Sequence, residues 1–74
     1  MNNIEKITVN SSIIKDAEYV HDEKLMTIYF NNGGVYKYPD MPIYYWKGFY
    51  ESTSKGQFLN KFIFGKFPFN TTKK

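Results

Sequence analysis

Hydrophobic positions fall along this chain in two rhythms, and the change from one to the other divides it in half. Across residues 13–38 the apolar residues come in short β-branched and aromatic runs separated by polar punctuation, which is the pattern of strands and turns. Residues 13–20 read as extended, with Ile13, Lys15, Ala17 and Tyr19 on one side and Ile14, Asp16, Glu18 and Val20 on the other. His21-Asp22-Glu23-Lys24 is a polar connector. Residues 25–30, Leu-Met-Thr-Ile-Tyr-Phe, form a second strand that is apolar on both faces. Asn31-Asn32-Gly33-Gly34 is the strongest local signal of this half, because Asn and Gly tolerate the positive φ that tight hairpins require. Residues 35–38 return as a third strand, which Pro39 ends. Ahead of the meander, residues 1–6 read as a leader. Ile7-Thr8-Val9 reads as a short strand closed by the turn-prone Asn10-Ser11-Ser12.

After Pro39 the period lengthens. Asp40-Met41-Pro42 opens a helix with proline at its first position, and Ile43, Trp46, Phe49 and Tyr50 recur at helical spacing. Glu51-Ser52-Thr53 breaks it. A second helix begins at Ser54, with Gln57 three residues on as a capping box. Phe58 with Phe62, and Leu59 with Ile63, stack at i, i+4 along it, and Gly65 supplies its stop. Phe58 and Phe62 are expected in the core with Trp46. Two short helices after three strands must cover a face of the sheet, since neither is stable alone. The expected fold is α+β: a three-stranded antiparallel β-meander followed by two short α-helices packed on one face. Residues 1–8 form an N-terminal leader, 9–69 one domain and 70–74 a frayed tail.

Composition sharpens this picture in two places. The chain has 74 residues and no cysteine, so neither disulfides nor thiolate metal sites hold it together. Fifteen aromatics, seven Tyr, seven Phe and Trp46, supply the core area instead. Charge is uneven. Residues 1–37 carry four lysines against five acids (−1), and residues 38–74 carry six against two (+4). From Ser52 onward there are five lysines and no acid, a polarity that attracts polyanions. Every basic residue is lysine, so the bidentate arginine fork is missing. No apolar run is long enough to span a membrane, and no signal peptide is visible. A cytoplasmic protein without a membrane partner or cofactor is expected.

Candidate chemistry concentrates in two places. Ser54-Lys55-Gly56 stands where backbone N–H groups at a helix start can hold a phosphate, or where Ser54 simply caps the helix. Asn60, Lys61 and Lys66 follow beside the aromatic stripe, as an anion surface or as a solubilising face. Tyr36 and Tyr38 share one face of their strand. A two-residue Asn32-Gly33 turn sets Tyr29 and Thr27 opposite them as a phenolic platform for stacking bases. A loop one residue longer pairs them with Phe30 and Ile28 as core. The core alternative is favoured, because few other residues could fill it. Catalysis is not expected. His21 is the only histidine and stands in a polar turn, and no cluster has metal-ligand spacing or a nucleophile set.

Five short segments in a fixed order resemble the KTSC domain. They are Val9-Asn10-Ser11-Ser12, Asn32-Gly33-Gly34-Val35-Tyr36-Lys37-Tyr38, Met41-Pro42, Ser54-Lys55-Gly56 with Asn60, and Gly65-Lys66-Phe67. That domain is named after the C-terminus of certain lysyl-tRNA synthetases, and it also stands alone as a small protein of bacteria and phages. Tyr36 and Tyr38 match its Tyr-x-Tyr core. The resemblance implies RNA binding. Lys66 stands where the family often has arginine, and Phe67 and Phe69 where tyrosine is common.

The reading that joins these observations is a small non-catalytic module for RNA or another single strand. Lysines would sit on the backbone and Tyr29, Tyr36 or Tyr38 under the bases. Two alternatives belong to other classes. One is a homo-oligomer enclosing a nucleotide-like anion between Ser54-Lys55-Gly56 and the aromatic face, as a phage or bacterial accessory protein. The other is a protein-interaction domain using Trp46, Phe64 and Phe67. A monomer favours the first reading, and a stable oligomer favours the others.

Overall fold

The hairpin around Asn32 decides which residues can be core. In a computed structural model, which describes residues 3–9 and 11–73 (72 and 73 by backbone alone), strands β3 (Leu25–Phe30) and β4 (Gly34–Tyr38) pair with Ile28 opposite Tyr36 and Met26 opposite Tyr38. The connection is therefore three residues, Asn31-Asn32-Gly33; the extra residue lies on the β3 side, so the tyrosines face Ile28 and Met26 rather than the expected Phe30 and Ile28. The Gly33 N–H donates to the Phe30 carbonyl at 3.0 Å, and Gly33 sits at φ +93°. Positive φ at the third position is the geometry of a three-residue hairpin with a bulge, and glycine adopts it without steric cost. Its consequence is that Tyr36 and Tyr38 face the core side with Ile28 and Met26, whereas Tyr29 and Thr27 point away.

The sheet is wider than the three strands the pattern predicts. It has five antiparallel strands in the order β1-β2-β3-β4-β5, with β1 (Ile4–Thr8), β2 (Ile14–Val20) and β5 (Asn70–Lys73) completing the meander. The expected leader contributes β1, which pairs Ile4 with Val20 and Thr8 with Asp16. The expected frayed tail contributes β5, which pairs Lys37 with Asn70 and Gly34 with Lys73. Both edge strands escaped the hydrophobic pattern for the same reason: an edge strand is held by backbone hydrogen bonds and tolerates polar side chains. Glu5 and Lys6 interrupt β1, and β5 has no apolar residue at all. Asn10 of the first predicted turn, Met1 and Asn2 of the leader, and Lys74 of the tail lie outside the described residues.

A β-bulge in β2 corrects the expected alternation. Ile14 pairs with Phe30 and Asp16 with Tyr29, so Lys15 is the extra residue. The insertion shifts the alternation by one. Ile14 joins Ala17 and Tyr19 on the core face, each at most 1% exposed, and Ile13 is left 48% exposed.

The two helices cover that face. Asp40 at φ +58° turns the chain out of β4, and the Met41 N–H donates to the Lys24 carbonyl at 2.8 Å. Helix α1 (Ile43–Glu51) follows with Pro42 as its N-cap rather than its first helical residue, so it starts one residue later than predicted. It buries Trp46 and Phe49 and leaves Ile43 exposed. Helix α2 (Lys55–Phe58) runs directly into a π-helical turn (Leu59–Ile63), whose wider ring closes with Phe64 N–H to Leu59 carbonyl at 2.7 Å. The buried stripe here is Leu59 and Ile63. Phe62, expected in the core, is 42% exposed. The capping box also fails: Ser54 occupies the N-cap position, but its hydroxyl makes no capping hydrogen bond. Gly65 stops the helix at φ +76°, as its position predicts.

One polar contact ties β1 to this core. Glu5 lies on the helix-covered face, where it accepts from the Trp46 indole N–H at 2.9 Å and from His21 Nε2 at 2.7 Å. Tyr19 stacks on Trp46 (centroids 5.6 Å apart, 15° between planes) and donates its hydroxyl to the Met41 carbonyl at 2.6 Å. His21, although it stands in the polar turn, is thus a paired side chain only 18% exposed. The hydrogen bond from Trp46, then that from His21, lowers the Glu5 pKa below its ordinary value of 4.5, against a smaller opposing effect of burial. A depressed carboxylate stabilises the fold above its unfolded pKa, and that stability is lost as pH falls through the folded value. The melting temperature of the wild type should therefore fall more steeply below about pH 4.5 than that of Glu5→Gln. Parallel acid limbs for the two proteins would show that Glu5 does not act this way.

Candidate nucleic-acid interface

Ser54, Lys55, Gly56 and Asn60 do come together, and the fold adds partners that sequence spacing could not show. The β1–β2 connection brings Ser11 and Ser12 against the start of α2. Between them lies a depression of about 660 Å³ lined by Thr8, Ser11, Ser12, Ser54, Lys55, Gly56, Gln57 and Asn60, among others. None of the described lining residues is acidic. Hydroxyls, amides and one ammonium make up its polar surface, a set that suits phosphate and sugar oxygens.

Lys55 is held at this rim. Its Nζ donates to the Ser52 carbonyl at 2.9 Å, which places a cation at the C-terminal end of α1, where it offsets the helix dipole. The Ser52 hydroxyl in turn accepts from the Ser54 N–H at 3.2 Å and donates to the Ser54 carbonyl at 3.0 Å. These contacts fix the turn that presents Lys55, and they do the local work that the capping box was expected to do.

Lys61 belongs to an adjoining shallow depression of about 180 Å³ that shares Thr53, Ser54 and Gln57 with the first. Its Nζ lies 5.6 Å from the ring centroid of Phe62, a cation–π approach to an exposed aromatic face. Lys66 is exposed in the turn after the π-helical segment and lines neither depression. The predicted triad of lysines thus divides into a pair, Lys55 and Lys61, and an outlier.

The tyrosines do not share this surface. Tyr38 is fully buried, and its hydroxyl has no hydrogen-bond partner among the described residues. Burial first, and the neighbouring Tyr36 second, push its pKa up to about 12. Tyr38 therefore cannot stack on a base. Tyr36 is half-buried, stacked on Phe69 at 4.7 Å and 7° and set edge-on to Phe30 at 4.8 Å. Tyr29 lies on the face of the sheet away from the helices. Its hydroxyl points to Glu18 Oε1 at 3.5 Å, and Lys6 Nζ stands 5.9 Å from its ring. Burial, followed by the charge of Glu18, raises its pKa. Glu18 and Asp16 beside it offset the charge of Lys6, so nothing there gathers a net positive charge for phosphate. The aromatic accessible beside the lysines is Phe62, which sequence reasoning had assigned to the core.

Two of the five segments that carry the family resemblance, the one with Ser11-Ser12 and Ser54-Lys55-Gly56 with Asn60, meet here, and comparison with known proteins bears the resemblance out. Residues 10–67 match the KTSC domain family. The chain is 41% identical over 58 residues to a lysine–tRNA ligase of Nostoc punctiforme, and 36% identical over 58 residues to that of Trichormus variabilis. Each match covers 78% of this chain but only 10% of the ligase, so the chain spans about a tenth of the length of these curated relatives. Among solved structures, the crystal structure of a KTSC domain protein from Yersinia pestis superposes with a TM-score of 0.81 at 30% identity. That overlay covers 97% of this chain and 99% of the other. The chain belongs to the KTSC domain family.

Proposed function

We propose that this domain binds single-stranded nucleic acid, RNA in the first instance, along the surface formed by Ser11, Ser12, Ser54, Lys55, Asn60 and Lys61. One observation carries the reading. Two segments far apart in the chain, at Ser11-Ser12 and at Ser54-Lys55, meet at a polar depression that holds a fixed lysine and has no acid among its described lining residues. Lys61 and the exposed ring of Phe62 continue the same surface. Lysine and hydroxyl contacts of this kind position a strand by its backbone, and an exposed ring stacks on any base. Kinship to a segment of a lysine–tRNA ligase is consistent with an RNA partner.

The test is titration with a short single-stranded RNA at several salt concentrations. Each phosphate contact contributes a slope of about −0.7 in log affinity against log salt. Lys55→Ala and Lys61→Ala should each flatten the wild-type slope by about 0.7, on every sequence alike. Lys66→Ala should leave it nearly unchanged. Equal slopes in wild type and the Lys55/Lys61 double variant, or no binding at low salt, would overturn the reading. Saturable binding of one mononucleotide with a shallow salt dependence would favour a small-ligand site in the same depression.

A further inference from the structure

Beside the polar depression lies a second cleft of about 550 Å³ with a different chemistry. The two share Ser12 and Ile13, so together they form one continuous trough, polar at the α2 end and apolar at the β3–β4 hairpin. Ile13, which the β2 bulge leaves exposed, lines its wall together with Phe30 and Tyr36. We propose that this cleft is a base subsite. It takes one unstacked nucleobase of a single strand whose adjoining phosphate lies in the Lys55 depression. This rests on the single-strand reading above and adds the place where a base is held.

Two amides support it. Asn31 Nδ2 donates to the Ser11 and Ser12 carbonyls at 3.2 and 2.9 Å, which turns its Oδ1 into the free end. Asn32 Oδ1 accepts from the Gly34 N–H at 2.9 Å, which leaves its Nδ2 as the free end. Both residues line the cleft, and neither free end has a partner among the described residues. An acceptor and a donor therefore stand at the mouth of an aromatic and aliphatic slot. Every nucleobase presents a donor beside an acceptor on its pairing edge. The slot accordingly takes any base, and the stacking surface of Phe30 and Tyr36 sets the affinity. No acid lines the cleft among the described residues, so the strand meets no like charge along the trough.

The probe is a six-nucleotide oligouridylate compared with the same strand carrying a central abasic site, titrated into the intact protein at low salt. The wild type should bind the base-bearing strand between about fivefold and a hundredfold more tightly. Ile13→Ala removes part of the wall at an exposed position. Asn32→Ser keeps an acceptor for the Gly34 N–H while deleting the free amide donor. Both variants should lower that ratio while leaving the melting temperature and the salt slope unchanged. Lys55→Ala should weaken both strands equally and leave the ratio intact. A wild-type ratio near one with a normal salt slope overturns the base subsite and leaves the phosphate surface standing. A ratio that neither variant changes also overturns it. No binding of either strand overturns both.

Discussion

Trp46→Ala should leave the domain without a cooperative melting transition at room temperature. Trp46 is fully buried, and removing a core tryptophan costs about 3–5 kcal/mol. A chain of 74 residues carries a total stability of about 4–11 kcal/mol at ordinary values per residue. The indole also does more than fill space. It stacks on Tyr19 and donates to Glu5, so its loss removes the contact through which β1 is tied to helix α1. Trp46→Phe separates these contributions. It keeps most of the apolar area and loses the N–H bond to a carboxylate, a change of about 1–3 kcal/mol. Urea melts followed by far-ultraviolet circular dichroism would rank wild type above Trp46→Phe, and Trp46→Phe above Trp46→Ala. A Trp46→Ala protein that melts cooperatively within a few degrees of the parent would remove this residue from the core.

The second large effect is a contrast within one helix. Leu59→Ala should cost about 2–5 kcal/mol, because Leu59 is fully buried and its truncation leaves a cavity in the core. Phe62→Ala should cost no more than about 1 kcal/mol, because the ring is 42% exposed and touches chiefly Phe58, at 4.8 Å between centroids. The larger side chain is thus the less important one for stability. Its removal should instead weaken single-strand binding, since Phe62 is the exposed ring beside Lys61. Melting both variants and titrating Phe62→Ala with RNA tests the assignment in both directions. A Phe62→Ala protein that is unfolded, with Leu59→Ala near native, would reverse it.

Glu5 shows why part of the architecture was hidden. A carboxylate in a short polar stretch reads as leader, and nothing near it in sequence reveals that Trp46, forty-one residues away, supplies its hydrogen bond. Strand β5 was hidden for a related reason. Asn70-Thr71-Thr72 has no apolar period, and its pairing comes from the free backbone edge of β4. Hydrophobic pattern reports burial, whereas edge strands are recruited by hydrogen bonding.

The meander of β2, β3 and β4, the turn at Asn31-Asn32-Gly33, the two helices behind it and the stop at Gly65 were legible in residue order. Each depends on local φ preference or on a period of apolar residues within a few positions. The Tyr-x-Tyr strand and the Ser54-Lys55-Gly56 corner were legible too, as segments that mark the family. What the sequence could not decide was orientation. A hairpin loop longer by one residue buries Tyr38, and one bulged residue in β2 moves Ile13 from strand face to cleft wall. A π-helical turn accompanies the exchange in which Leu59 and Ile63, rather than Phe62, enter the core. Single-residue register changes alter local pattern hardly at all, yet they redirect whole side chains. Only the packed structure, in which the core must be filled while neighbouring strands stay in register, selects among them.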